Sequence, residues 1–154
     1  MLNIVLVNPE IPPNTGNIGR LCVATGSTLH LIKPLGFHID DRSLKRAGLD
    51  YWKKLDLKVW ENFESYSQAV RPTQVVLTSS KRGELYTEIN FMTGDHILFG
   101  PETTGLKDDI YRLFPNRIAR IPIKLEKVRS LNLSTSAGII VYEALRQLNA
   151  LKTL

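Results

Sequence analysis

Six short apolar runs alternate with stretches of helical period, and this alternation constrains the chain more than any other feature. The runs cover residues 2–7, 28–32, 57–60, 74–79, 96–99 and 117–123. Between the first two, Ile18, Leu21, Cys22 and Thr25 recur at helical spacing and Gly26 supplies a stop. A short basic helix through Arg46 follows the second run, with Asp40 or Asp41 as its cap and Gly48 as its end. Residues 61–70 and 106–114 read as helices closed by Pro72 and Pro115. In the last segment Val141, Ala144, Leu145 and Leu148 share one helix face, and Asn132 or Ser134 can cap its start. Parallel strands need the crossovers that helices supply, so the pattern predicts one α/β domain, residues 1–154, with a parallel sheet flanked by helices.

Composition excludes several classes. The 154 residues are 43% hydrophobic and 23% charged, which suits a folded domain rather than a disordered chain. No apolar run nears the roughly 18 residues of a membrane span, and MLNIVLVNPE reads as a first strand rather than a signal peptide, so no membrane partner and a cytoplasmic protein are expected. One cysteine, Cys22, rules out an internal disulfide and a multi-cysteine metal site; no metal is expected. His30 and His96 fall in strands and read as structural. A net charge of +5 favours an anionic partner.

Three polar loops follow three of the strands: NPEIPPNTGNIGR, GPETTG and KLEKVRSLN. In an open α/β sheet ligands bind outside the carboxyl ends of the strands, so convergence of these loops would build a site. Gly100 and Gly105 permit close backbone approach or positive φ; a plainer account makes GPETTG a β-α turn with Glu102 near a helix N-terminus. The first loop crowds prolines and asparagines before Arg20, whose planar fork can grip a phosphate; the plainer account is a solvated helix charge. Arg42, Lys45, Arg46, Lys53 and Lys54 gather near Tyr51 and Trp52, a mixture that suits looped RNA or, equally, an ordinary amphipathic face. There is no P-loop, no GxGxxG and no GxSxG elbow.

Taken together, NPEIPPNTGNIGRLC, GFHIDDRSLKRAGLDYW, FGPETTGL and RIPI…RSLNLS…VYEALRQL resemble, nearly end to end, the SPOUT superfamily of RNA methyltransferases in its SpoU branch. The likeness is greatest to its minimal single-domain members, which methylate the ribose 2′-oxygen at the wobble nucleotide of tRNA. The resemblance implies a C-terminal trefoil knot, bound S-adenosylmethionine, and a homodimer with active sites across the subunit interface. It implies cofactor contacts near Thr78, Gly100, Ile121, Ser130 and Leu131. It places Asn14, Arg20, Glu102, Ser130 and Asn132 at the polar signature positions, with Arg20 as the favoured catalytic residue. A guanidinium normally stays protonated, so Arg20 is read as positioning the ribose and its phosphate rather than as the base. The apolar stripe Ile140, Val141, Ala144, Leu145 and Leu148 is read as the dimer contact.

The chain departs from the family pattern in four places. Thr104 stands where relatives usually carry Arg, Gly19 where they carry a bulky aliphatic, Leu131 where Met is usual, and LTSSKRG replaces LTTKG. These departures bear on the choice of tRNA and base. Two other readings remain open at this point: a non-catalytic RNA-binding module using GNIG as a backbone clamp, and an α/β enzyme for small anionic metabolites with Arg20 as the clamp.

Overall fold

The computed structural model describes residues 1–39 and 49–154. In chain order the elements are β1 (Asn3–Val7), α1 (Pro12–Thr25), β2 (Thr28–Ile32), α2 (Leu49–Trp52), β3 (Leu57–Trp60), α3 (Phe63–Val70) and β4 (Val75–Ser79). They continue as β5 (Glu84–Leu85), β6 (His96–Phe99), α4 (Asp108–Leu113), β7 (Ile118–Arg120), α5 (Leu133–Gln147) and a final 3-10 turn, Ala150–Thr153. The seven strands form one sheet in the order β3-β2-β1-β6-β4-β7-β5, and every pairing is parallel. From β1 the chain runs outward through β2 and β3, and from β6 it runs the other way. The loops after β1 and β6 therefore leave neighbouring strands in opposite directions and open a crevice between them.

Each sheet face carries its own core. On one face Ile4 and Leu6 of β1 meet Ile18 and Cys22 of α1 and Ala137, Ile140, Val141, Ala144 and Leu145 of α5. On the other, Val5, Val7, Ile32 and Leu77 meet Tyr66 of α3 and Ile110 of α4. Both faces of β1 are thus covered, as a parallel sheet requires. The α5 stripe expected at a dimer contact is instead buried in the chain's own core, with Ile140, Val141 and Ala144 fully inaccessible. That stripe gives no argument for a second subunit.

The helix expected from Ile18 begins at Pro12. Pro12 and Pro13 occupy its first two positions, where a fixed φ suits the helix and the missing N–H would have lacked a partner anyway. The strand expected through residue 123 stops at Arg120, two residues before Pro122. A seventh strand, β5, joins the six expected ones; its two residues carry no pattern and are a strand only because β7 lies beside them.

That last pairing exposes the unusual part of the topology. Thr78 of β4 and Glu84 of β5 both register on Ala119, so β7 occupies the slot between two strands adjacent in sequence. Parallel neighbours ordinarily need a crossover of a dozen or more residues, whereas residues 80–83 alone carry the chain across β7. The crossing is so close that a Cβ on Gly83 would stand 2.1 Å from the Ile118 carbonyl oxygen, and φ there is +92°.

Under α3 a polar cluster is folded into the core. Trp60 Nε1–H donates to His30 Nδ1 at 3.1 Å, which leaves His30 Nε2–H to face Asn3 Oδ1 at 3.3 Å. Tyr66 lies edge-on to His30, and its hydroxyl pairs with His96 Nδ1 at 2.7 Å. Burial, then His96 and Lys58, push His30 down from 6.5 to about 4 against a smaller opposing pull from Asp56. His96 shifts the same way, chiefly by burial. Both histidines are structural, as their strand positions predict. Among the described residues no helix is long and apolar enough to cross a membrane.

Two outcomes follow from this packing. Gly83→Ala should destabilise the protein well beyond Gly94→Ala in urea titrations. Both glycines have φ near +90°, a strain of about 1–2 kcal/mol for alanine, but only Gly83 also strikes backbone. For His30 the unfolded chain binds the extra proton between pH 6.5 and about 4, so its contribution is complete above 6.5 and is lost as pH falls through that window. Between pH 7.5 and 5 the loss through His30 should be about 2 kcal/mol, and His30→Gln should flatten that part of the pH–stability curve.

Candidate active site

The site begins with a carboxylate that serves another loop's backbone. Glu102, in the turn after β6, accepts from the Glu10 N–H at 2.8 Å, the Ile11 N–H at 3.1 Å and Asn14 Nδ2 at 3.1 Å. It therefore closes the N-terminus of α1, whose own N-cap residue Ile11 offers no side-chain acceptor. Negative charge there is stabilised by the helix dipole. The plainer account of GPETTG set Glu102 near the helix of its own β-α turn; it serves the first helix of the chain instead. Glu10 answers in the other direction, accepting from the Thr103 N–H at 3.0 Å and the Thr103 hydroxyl at 2.8 Å.

Asn14 carries the connection onward. It is 4% exposed; its Nδ2 is donated to Glu102 and its Oδ1 accepts from Asn132 Nδ2 at 2.9 Å. Asn132 in turn caps α5, its Oδ1 accepting from the Ser134 N–H at 2.9 Å, the Ser134 hydroxyl at 2.7 Å and the Thr135 N–H at 3.3 Å. One hydrogen-bonded chain thus joins the loops after β1, β6 and β7. Three of the sequence-predicted residues form it, and they hold one another.

These loops wall a cleft of about 900 Å³. Thr78, Gly100, Ile121, Ser130 and Leu131, the residues expected around a cofactor, all line it. Gly100 and Gly105 supply one requirement each. A Cβ on Gly100 would lie 2.2 Å from Gly105 and Leu106 backbone, while Gly105 has a φ of +70°. Gly100 is therefore demanded by the turn's own packing, so a bulky residue there would unseat the turn as well as fill the cleft. Thr78 is held in place on both sides: its hydroxyl donates to the Leu98 carbonyl and its carbonyl accepts from the Tyr111 hydroxyl, each at 2.9 Å. The Ile121 and Leu131 N–H groups meet no acceptor among the described residues. Apolar walls from Ile121, Ile123 and Leu131 with main-chain donors between them suit a small ligand that has both an apolar surface and hydrogen-bonding groups.

Arg20 is not brought to this cleft. It stands exposed two turns into α1, its guanidinium 5.3 Å from the centre of the Tyr51 ring. Tyr51 is fixed beneath it by donating its hydroxyl to the Gly16 carbonyl. Beside them a Cβ on Gly19 would lie 3.2 Å from the Trp52 ring, so the tryptophan fills the space an aliphatic side chain would take. Lys53 and Lys54 are exposed just beyond. Arg42, Lys45 and Arg46, and the expected basic helix that carries them, lie outside the described residues. Sequence reasoning passed over Lys81, Arg82 and Tyr111, which also line the cleft, as does Arg129 of the third polar loop. The extra cation in LTSSKRG was the available signal for Arg82.

Comparison with known proteins fits this geometry. Residues 1–142 match the SpoU rRNA Methylase family. A tRNA (cytidine(34)-2′-O)-methyltransferase of Aeromonas hydrophila subsp. hydrophila is 50% identical over 149 residues, 96% of this chain and 95% of that protein. The enzyme of the same name from Escherichia coli K12 is 44% identical over 96% of this chain and 94% of its own length. Among solved structures, one described as giving insights into the 2-OH methylation of C/U34 on tRNA superposes with a TM-score of 0.91 at 43% identity, covering 97% of each chain. An AdoMet-bound rRNA methyltransferase from Sinorhizobium meliloti superposes with a TM-score of 0.85 at 26% identity, over 96% of this chain and 56% of that one. On the family match over residues 1–142 and on this sheet with its three latched loops, the chain belongs to the SpoU methylase family.

Proposed function

We propose that this protein methylates the ribose 2′-oxygen of tRNA at the wobble nucleotide of the anticodon, with S-adenosylmethionine as methyl donor, acting in the cytoplasm as a homodimer of single-domain subunits. The observation that carries the reading is the convergence of the loops after β1, β4, β6 and β7 on one cleft, locked by Glu102, Asn14 and Asn132. Relatives that share 44–50% of the sequence are named for this reaction. We infer too that β7, lying under the crossing at residues 80–83, belongs to a trefoil knot closed by the segment that leads into α5.

When bound, S-adenosylmethionine supplies an activated methyl group on a sulfonium. The walls formed by Ile121, Ile123 and Leu131 would enclose it away from water, and the main chain at Gly100, Ile121, Ser130 and Leu131 would orient it. Asn14, Glu102 and Asn132 keep those loops in register, and Ser130 lies at the cleft wall beside them. The acceptor oxygen must be aligned and must lose its proton as the new bond forms. Arg20 performs the alignment by holding the ribose and its phosphate, and a water or that phosphate takes the proton.

Arg20 lies outside the cleft of its own chain, so it serves the cleft of a second copy. This need for a second copy, rather than the buried α5 stripe, is the reason for a homodimer. Lys53 and Lys54, with Arg42, Lys45 and Arg46 nearby in sequence, would follow the tRNA backbone on the same side as Arg20.

Arg20→Ala should lower single-turnover methyl transfer to tRNA by a factor on the order of 10² while cofactor affinity by calorimetry stays nearly intact. Arg20→Lys should recover little, because the planar fork is lost. The arrangement in trans has its own test. Arg20→Ala co-assembled with a cleft-blocked Leu131→Trp subunit should regain activity, since the open cleft then faces an intact arginine. No recovery in verified mixed dimers would put Arg20 in the cleft of its own chain, and a monomer by analytical ultracentrifugation would remove the dimer.

A further inference from the structure

The charge at the cleft mouth is uneven. On the wall formed by residues 100–106, Glu102 is held by α1, Thr103 is held by Glu10, and Thr104 is neutral. The cleft's cations are Lys81 and Arg82, in the loop that crosses β7, and Arg129, ahead of α5. A polyanion entering the cleft therefore finds its cations on the crossing loop and ahead of α5, and none on the 100–106 turn.

Arg82 differs from its neighbours in being held still. Its guanidinium lies 4.8 Å from the centre of the Tyr111 ring, and Nη1 is 2.9 Å from Asp108 Oδ1 at the start of α4. Tyr111 is itself anchored through its hydroxyl to the Thr78 carbonyl. Beneath the side chain, the Lys81 and Arg82 N–H groups both donate to Ser79 Oγ, at 3.1 and 3.0 Å, which fixes the turn. The Arg82 side chain is 55% exposed and Asp108 68%, and an ion pair so open to water adds little to stability. Its effect is to select a rotamer. The donors of the guanidinium that point away from Asp108 meet no acceptor among the described residues. An arginine already arrested at a cleft mouth loses little side-chain freedom when it binds an oxyanion, and its fork matches two phosphate oxygens.

We propose that Arg82 holds a backbone phosphate of the RNA substrate next to the target nucleotide, so that the crossing loop, and not the 100–106 turn, positions the substrate backbone at the cleft. The inference rests on the RNA methyltransferase reading and adds a specificity-determining residue to it. Tyr111 and Asp108 act through Arg82 as positioning residues. Thr104 offers no cation to a phosphate, and Arg82 on the crossing loop does.

The test uses the full-length protein and compares Arg82→Ala, Arg82→Lys and Asp108→Asn for steady-state methylation, tRNA affinity across a salt series, cofactor affinity and thermal stability. Arg82→Ala is expected to raise KM for tRNA about tenfold with kcat within about twofold, and to reduce the slope of log affinity against log salt by about one. Arg82→Lys should keep that slope but recover only part of the affinity. Asp108→Asn should weaken tRNA binding less than Arg82→Ala, with an unchanged slope. Unchanged KM and slope in Arg82→Ala overturn the proposal. Loss of cofactor affinity with an unchanged slope also overturns it, assigning Arg82 to the cofactor's carboxylate. Equal thermal destabilisation by Ala and Lys with no KM effect overturns it as well, leaving Arg82 a brace for the loop. If the unsubstituted protein methylates no tRNA, the proposed function itself falls and this contact with it; if it methylates and only the Arg82 results fail, the inference alone falls.

Discussion

The site depends on where Glu102 puts its charge. A carboxylate in the turn after β6 satisfies two backbone N–H groups that lead into α1 and a third donor from Asn14. Two consecutive prolines open that helix, so it has neither a side-chain cap nor a full set of N–H groups, and the missing acceptor comes from 88 or more residues away in sequence. Because Asn14 passes the link to Asn132, the cap of α1 and the cap of α5 belong to one hydrogen-bonded chain. Removing any member leaves a buried or half-buried partner without its hydrogen bond, and the loss is then felt on all three loops.

The glycines show how tightly the same region is drawn. Gly83 lets the crossing loop lie on β7, and Gly100 lets the turn after β6 fold on its own residues 105 and 106. Both are backbone-to-backbone contacts; Gly100 lines the cleft, and Gly83 follows directly on Lys81 and Arg82, which also line it. Main chain approaching main chain this closely leaves few rotatable groups in the cleft wall. Such a wall suits a reaction in which the donor is already activated and alignment is the principal task.

What the sequence disclosed, and what it withheld, divides along the range of the interaction. Strand positions were legible because each buried strand must be apolar whatever its neighbours are; β1, with residues 4–7 almost wholly inaccessible, is the plainest case. Convergence of the polar loops was legible because it follows from parallel strands sharing a carboxyl edge. The start of α1 was hidden, since its cap lies on another loop, and β5 was hidden because two residues have no period. The use of the α5 stripe was ambiguous in principle: an apolar helix face reports that something covers it, and here α1 and the sheet do. The position of Arg20 relative to the cleft depends on tertiary packing, which one helix pattern does not contain.

The two arginines that matter sit on opposite sides of this division, and the contrast bears on how substrate recognition changes in such a fold. Arg20 stands on a helix whose register is tied to the core through Ile18 and Cys22 and which carries Tyr51 and Trp52 against Gly16 and Gly19. Moving it would disturb packing on several sides. Arg82 stands on a four-residue surface crossing, residues 80–83, braced by one ring and one carboxylate on the neighbouring helix. A cation can be gained or lost there at little cost to the core, because the loop's backbone is set by Gly83 and Ser79 rather than by the side chains at 81 and 82. On the roles proposed for these two arginines, reaction geometry is anchored in the part of the structure that tolerates least change, and contact with the substrate backbone in a part that tolerates more. With Thr104 neutral, the crossing loop is the place where a phosphate contact could be gained without touching the latch that Glu102 holds.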